Sequence, residues 1–244
     1  IFIKNKNKKK SNLLLYTKMG YRRARTRRNR RNRSNKKKIS SKRNNYKNMR
    51  GGGNKELFNA ANNGNLQEVK AELAKGTSPN VRVPPNDSTP LYIAAKNGHI
   101  DIVKELLSYS GQSRRMLSMA LLMGPDPTDP NLENTYGLTP LYAAAAKGHF
   151  NIVEALLAHN QTNPNGGLHF QGITPLWAAS QEGHIRIVEA LLNHPAINPN
   201  QSTNDDEATP LYVAIERGHL NVVKELLKHP ATDPNPGNEW WANT

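Results

Sequence analysis

The chain has 244 residues, with 34 Lys and Arg against 19 Asp and Glu, and no Cys. The lack of Cys excludes disulfides, Cys-ligated zinc and a Cys nucleophile, and it fits an intracellular protein. The net charge of +15 averages two unlike parts: residues 1–55 hold 22 Lys and Arg and no acid, which leaves 12 basic and 19 acidic residues for the remainder.

The first Met is Met19, and Ile, Phe, Lys and Asn crowd the residues before it. Residues 1–18 therefore read as translated AT-rich upstream sequence. Leu13-Leu14-Leu15-Tyr16 is too short to span a membrane or to form the apolar core of a secretory signal. Met19-Gly20 lacks the Ser or Thr that a myristoylation signal places at Ala24. A basic run follows: Arg22, Arg23, Arg25, Arg27, Arg28, Arg30, Arg31 and Arg33, then Lys36, Lys37 and Lys38. Such a run cannot bury a core, and its own repulsion keeps it open, so residues 1–54 are expected to be a disordered basic tail. It neutralises phosphates whatever the base sequence, which points to non-specific nucleic-acid binding or to nuclear targeting. The sequence holds no zinc finger or RNP phrase to read bases. Gly51-Gly52-Gly53 reads as a flexible joint.

Beyond the joint the chain repeats itself. Leu57, Ala60, Ala61, Gly64 and Val69 stand 34 residues before Leu91, Ala94, Ala95, Gly98 and Val103. The clearer copies open on Thr89-Pro90-Leu91-Tyr92, Thr139-Pro140-Leu141-Tyr142, Thr174-Pro175-Leu176-Trp177 and Thr209-Pro210-Leu211-Tyr212, spaced 50, 35 and 35 residues apart. Thr caps free N–H groups, and Pro at the first helical position lacks the N–H that would be orphaned, so each phrase starts a helix. Leu91, Ala94 and Ala95 form its apolar face, and Gly98 ends it. Ile102, Val103, Leu106 and Leu107 form the face of a second helix. Neither helix is stable alone, so stacking must supply the core. Ser78-Pro79-Asn80, Asp129-Pro130-Asn131, Asn163-Pro164-Asn165, Asn198-Pro199-Asn200 and Asp233-Pro234-Asn235 separate the copies with turn chemistry. The long interval carries 16 extra residues within Ser108 to Pro127. Met116 to Met123 in that stretch predicts an inserted apolar helix around residues 113–124. It is expected to fold back on its own repeat rather than to form an adaptable Met-lined surface. Thr244 lies 35 residues after Thr209 and is the first letter of another copy, so the chain is expected to be a fragment with no polar capping repeat.

Period and phrase together resemble the ankyrin repeat, over about residues 55–244. The resemblance implies an all-α solenoid of about five helix-turn-helix units with β-hairpin fingers, preceded here by the basic tail. It also implies a non-enzymatic adaptor or scaffold that binds a protein through finger tips and the exposed ends of the first helices. Carried over position by position, the helix sites are Asn62, Asn63, Lys96, Asn97, Ala146, Lys147, Gln181, Glu182, Glu216 and Arg217. The tips offer Arg82, Tyr136, His169, Phe170, Asp205, Asp206, Trp240 and Trp241. The family phrase usually has His after Leu. Here Tyr92, Tyr142, Trp177 and Tyr212 stand there, so that residue's hydrogen bond between units is not carried over.

Other residues are read structurally. His99, His149, His184 and His219 recur once per copy and are spread along the stack, so they do not converge on a metal. His159, His194 and His229 end second helices, where a protonated ring is favoured. Asp205-Asp206-Glu207 is expected to be a solvated tip that attracts basic partners rather than a cation site. No P-loop, G-x-S-x-G, H-E-x-x-H or kinase phrase is present. The expectation is a protein-binding module with no cofactor, no small-molecule substrate and no membrane association, cytoplasmic or nuclear. The alternative is a nucleic-acid-associated protein whose tail anchors it while the repeats recruit a partner.

Overall fold

The Thr-Pro phrase does what its chemistry predicts. In the computed structural model the backbone N–H of Tyr92 donates to Thr89 Oγ1 at 3.1 Å, Tyr142 to Thr139 at 3.2 Å, Trp177 to Thr174 at 3.1 Å and Tyr212 to Thr209 at 3.1 Å. The structure describes residues 53–109, 127–167, 172–204 and 207–234. Among these are ten α-helices in five pairs: α1 (Gly53–Asn63) with α2 (Leu66–Ala74), α3 (Pro90–Asn97) with α4 (Ile100–Ser108), α5 (Pro140–Ala146) with α6 (Phe150–Leu157), α7 (Pro175–Glu182) with α8 (Ile185–Leu192), and α9 (Pro210–Glu216) with α10 (Leu220–Lys228). Each pair is one repeat, and the degenerate first copy is helical like the others.

Glycine ends the first helices through the left-handed conformation. Gly98 and Gly183 have φ of 85° and 74°, and Gly148 and Gly218, one residue past the caps of α5 and α9, have 76° and 74°. An L-residue there would be strained.

First helices pack on first helices and second on second, repeat after repeat. Leu57, Leu91, Leu141, Leu176 and Leu211 are buried at one position, and Leu106, Leu156, Leu191 and Leu226 at another, where the first repeat has the buried Glu72. The Ala pairs Ala60-Ala61, Ala94-Ala95 and Ala144-Ala145 are buried between first helices, where small side chains let backbones approach. The result is one continuous core cluster from Leu57 to Leu226, as expected of a stack in which each repeat covers its neighbours.

The fingers are less regular than the expected hairpins. Among the described residues there is no strand. One isolated antiparallel bridge, Val83 with Ser88, closes the first finger. Elsewhere a single backbone bond and a side chain hold each turn: Asn134 N donates to the Leu138 carbonyl at 3.1 Å while Asn134 Oδ1 accepts from the N–H groups of Tyr136 at 2.9 Å and Leu138 at 3.1 Å, and Thr203 N donates to the Ala208 carbonyl at 3.0 Å while Thr203 Oγ1 accepts from Ala208 N at 3.0 Å. These bonds satisfy the backbone within a few residues and leave little chain for a ladder.

The inserted helix expected around 113–124 lies outside the described residues. Its roots are closely tied, since Thr128 Oγ1 donates to the Leu106 carbonyl at 2.6 Å. The chain divides into two units, Ile1–Gly51 and Gly52–Thr244. The first, with the basic run, lies outside the described residues.

Candidate interaction surface

Two sets of cross-repeat bonds hold the surface in step. The first uses the His that follows each helix-ending Gly. His99 Nε2 bonds the Asn62 carbonyl at 3.1 Å, His149 Nε2 the Lys96 carbonyl at 3.1 Å, and His219 Nε2 the Gln181 carbonyl at 2.9 Å. Each accepting carbonyl belongs to the end of the preceding first helix, where carbonyls have lost their helical donors. Each ring also lies over the preceding repeat's glycine. A Cβ on Gly64, Gly98, Gly148 or Gly183 would meet the rings of His99, His149, His184 and His219 at 2.7–3.1 Å. The Gly-His pair thus serves two repeats at once, which explains the His column without a metal.

The second set was not foreseen from the sequence. The last Asn of each of the four Pro-Asn steps that the described residues contain whole reaches the next repeat with both ends of its amide. Asn165 Nδ2 donates to the Ala196 carbonyl at 2.7 Å, and its Oδ1 accepts from Asn198 N at 2.8 Å. Asn80, Asn131 and Asn200 make the same two bonds to the repeat after them. Within the step the first Asx closes the turn: Asn131 N donates to Asp129 Oδ1 at 2.9 Å and Asn165 N to Asn163 Oδ1 at 3.0 Å. Asn suits both bonds because its amide presents a donor, Nδ2, and an acceptor, Oδ1, side by side. The available signal was the recurrence of Asn after Pro in every copy.

In the second His column, His194 Nδ1 accepts the N–H of Ala196 at 3.2 Å and His229 Nδ1 that of Ala231 at 3.4 Å, so both rings close the turn after the helix.

Held in this frame, the helix-end residues form a row. Asn63, Lys96, Asn97, Lys147, Glu182, Glu216 and Arg217 are exposed, and Asn62, Ala146 and Gln181 are half-buried. Some are already engaged: Asn97 Nδ2 donates to the Asn62 carbonyl at 3.0 Å, and Gln181 Nε2 to Glu182 Oε1 at 2.8 Å. Of the tip residues, Tyr136 is 59% exposed. Arg82 is half-buried, and its Nη1 donates to the Glu133 carbonyl at 2.6 Å, which makes it a brace between fingers. His169, Phe170, Asp205, Asp206, Trp240 and Trp241 lie outside the described residues. The described residues contain no group of three or more His, Cys, Asp or Glu able to hold a metal ion.

A family model described as ankyrin repeats (3 copies) matches residues 39–116, 57–163, 112–203 and 167–238. The chain belongs to the ankyrin-repeat family. Among curated proteins none matches it. In this ankyrin array the usual His of the Thr-Pro-Leu phrase is replaced by aromatic residues that sit under the fingers. Tyr92 is buried and its side chain bonds that of Asn134. Tyr142, Trp177 and Tyr212 are half-buried, and the Trp177 indole N–H is buried without a hydrogen-bond partner.

These tyrosines give the array a pH dependence. Burial pushes both hydroxyls above the ordinary tyrosine value, with Tyr142 adding to Tyr92, Glu182 adding to Tyr142, and the Asn134 bond opposing at Tyr92. The folded state therefore holds these protons when the unfolded chain has released them. Stability is full below the unfolded value of about 10 and falls as pH rises through the raised folded values. Thermal melts are expected to drop above about pH 10, and to drop less steeply for Tyr142→Phe. Equal slopes for the two proteins would contradict this.

Proposed function

We propose that this chain is a non-enzymatic adaptor that holds a protein partner along the helix-end row and the finger tips. Ankyrin repeats generally mediate protein–protein interaction, which supports the reading. The observation that carries the reading is the exposed row Lys96, Lys147, Glu182 and Arg217, one residue at the C-terminal end of each of four consecutive first helices. A row fixed by cross-repeat bonds presents charge at a set spacing, which favours one partner over others and lowers the ordering cost of binding. Tyr136, aromatic and exposed, adds an anchor of the type that carries binding energy. The proposed setting is intracellular, cytoplasmic or nuclear, without a cofactor or small-molecule substrate. No helix among the described residues is long and apolar enough to cross a membrane.

A second reading rests on the 22 Lys and Arg of residues 1–55, which face no acid within that stretch. In it the tail anchors the chain to nucleic acid and the repeats recruit. Deleting residues 19–50 separates the two: an adaptor keeps its partner, while a nucleic-acid-anchored protein loses its main affinity. The full chain is expected to bind unrelated duplexes with little preference and to lose affinity steeply with salt, because the contacts would be to phosphates. Affinity that survives high salt, or a strong preference for one duplex, would contradict the second reading.

A further inference from the structure

The two layers of helices use their charges differently. Among the described residues Lys70 pairs with Glu105 at 3.5 Å, Lys75 with Glu72 at 2.6 Å and Lys228 with Glu225 at 2.6 Å, all on the second helices or at their ends. At the C-terminal ends of the first helices, Lys96, Lys147, Glu182, Glu216 and Arg217 are exposed, and none makes an ion pair with a described residue.

The unpaired charges are also grouped by sign. The second repeat presents Lys96 with Asn97, and the third Lys147 with Ala146, so neither helix end carries an acid. The fourth presents Glu182 with the neutral Gln181, and the fifth presents both signs, Glu216 and Arg217. The first repeat has only Asn62 and Asn63 there. Over the second, third and fourth repeats the row therefore runs positive, positive, negative.

We infer, resting on the adaptor reading above, that the partner meets this row with an α-helix whose facing stripe runs acidic, acidic, basic. Charge complementarity sets the order, with acids opposite Lys96 and Lys147 and a base opposite Glu182. The step between repeats sets the conformation. Packed helices stand about 8–10 Å apart, and one heptad of an α-helix advances about 10.5 Å while returning nearly to the same face. Successive heptad positions of the partner thus meet successive repeats. An extended strand covers the step in about three residues, which turns the next side chain to the opposite face. Glu, Lys and Arg are also good helix formers. The order acidic, basic, acidic would set like charges against Lys147 and Glu182 and is rejected. The helix can lie in either direction, so the grouping of its two acids is what the row recognises.

The test is selection against the full chain from two displayed peptide libraries, each about three heptads long, with excess duplex DNA to compete for the basic residues of 1–55. One library is an Ala-based helix with a single stripe randomised. The other carries Pro in every heptad and cannot form a helix. Enrichment is expected from the helical library, of clones with Asp or Glu at two successive heptad positions and Lys or Arg at the next. Lys147→Glu in the full chain should weaken these clones by roughly tenfold, and changing the clone's middle acid to Lys should recover most of the loss. Both proteins carry the same basic residues at 1–55, so their contribution cancels in the comparison. Another charge order among the helical clones, enrichment of proline-bearing clones alone, or no enrichment would overturn the inference. Such clones, if still weakened by Lys147→Glu, would leave the row as the binding site. Clones indifferent to both Lys147→Glu and Glu182→Lys would overturn the row as well.

Discussion

Leu156→Ala is expected to destabilise the array by about 2–5 kcal/mol in denaturant unfolding. Leu156 lies on α6 in the third repeat and is fully buried. It belongs to a column that includes Leu106 before it and Leu191 after it, all within the same core cluster. A leucine in this column is held by its own first helix and by second helices on both sides. Truncation therefore leaves a cavity whose walls are fixed by two other repeats and collapse little. A leucine one position along in the fifth repeat, Leu227, is already 49% exposed, so Leu227→Ala should cost much less. Equal costs at the two sites would mean that the helix faces are wrongly placed.

Gly172→Ala is the second large effect. The residue two before each Thr-Pro has positive φ in all four clear copies: Asp87 at 50°, Gly137 at 76°, Gly172 at 71° and Glu207 at 53°. Asp87 and Glu207 occupy it with side chains, so the left-handed backbone alone, costing about 1–3 kcal/mol, is bearable. Gly172 differs in what stands beside it. An added Cβ would meet the Ser202 carbonyl oxygen at 2.7 Å and Thr203 Cα at 3.1 Å, both backbone atoms of the next finger. Backbone yields only by moving the finger, so the contact adds to the conformational cost and should loosen the bond between Thr203 N and the Ala208 carbonyl. Glu207→Gly, by contrast, relieves strain at an exposed site and should stay within about 1 kcal/mol of the parent. Melting temperatures of the two variants compare them directly. A Gly172→Ala protein as stable as Glu207→Gly would refute the close approach of the fingers.

The fold was legible because each helix signal is local. Thr, Pro and Gly act within one turn, and the Leu and Ala positions recur at a fixed period, so five helix pairs could be placed from the sequence, the degenerate first pair included. What the sequence hid acts between repeats. Asn80, Asn131, Asn165 and Asn200 read as ordinary turn residues, because the partner carbonyls lie in the next copy. His99, His149 and His219 read as structural because they recur once per copy, but their target, the carbonyl at the end of the preceding first helix, appears only when repeats stack. The finger shape was hidden too: Asn134 and Thr203 satisfy the backbone by side chain where a hairpin would have used strands. Among the candidate binding residues, the resemblance to ankyrin repeats pointed to Lys96, Lys147, Glu182 and Arg217, which are exposed. It could not show that Arg82 would be spent on the Glu133 carbonyl or Asn97 on that of Asn62.

The most direct test of the binding row is charge reversal along it. The full chain carrying Lys147→Glu, Glu182→Lys and Arg217→Glu should keep its helical spectrum, because these side chains are exposed. It should bind the protein captured by the parent at least about tenfold more weakly, a loss of about 1.4 kcal/mol. The matching reversal on the second helices, Glu154→Lys, Glu189→Lys and Lys224→Glu, also alters exposed residues. Titration of both variants against the same partner is predicted to show the first set impaired and the second unchanged. Loss of binding from the second set with the first intact would place the partner on the opposite side and contradict the account.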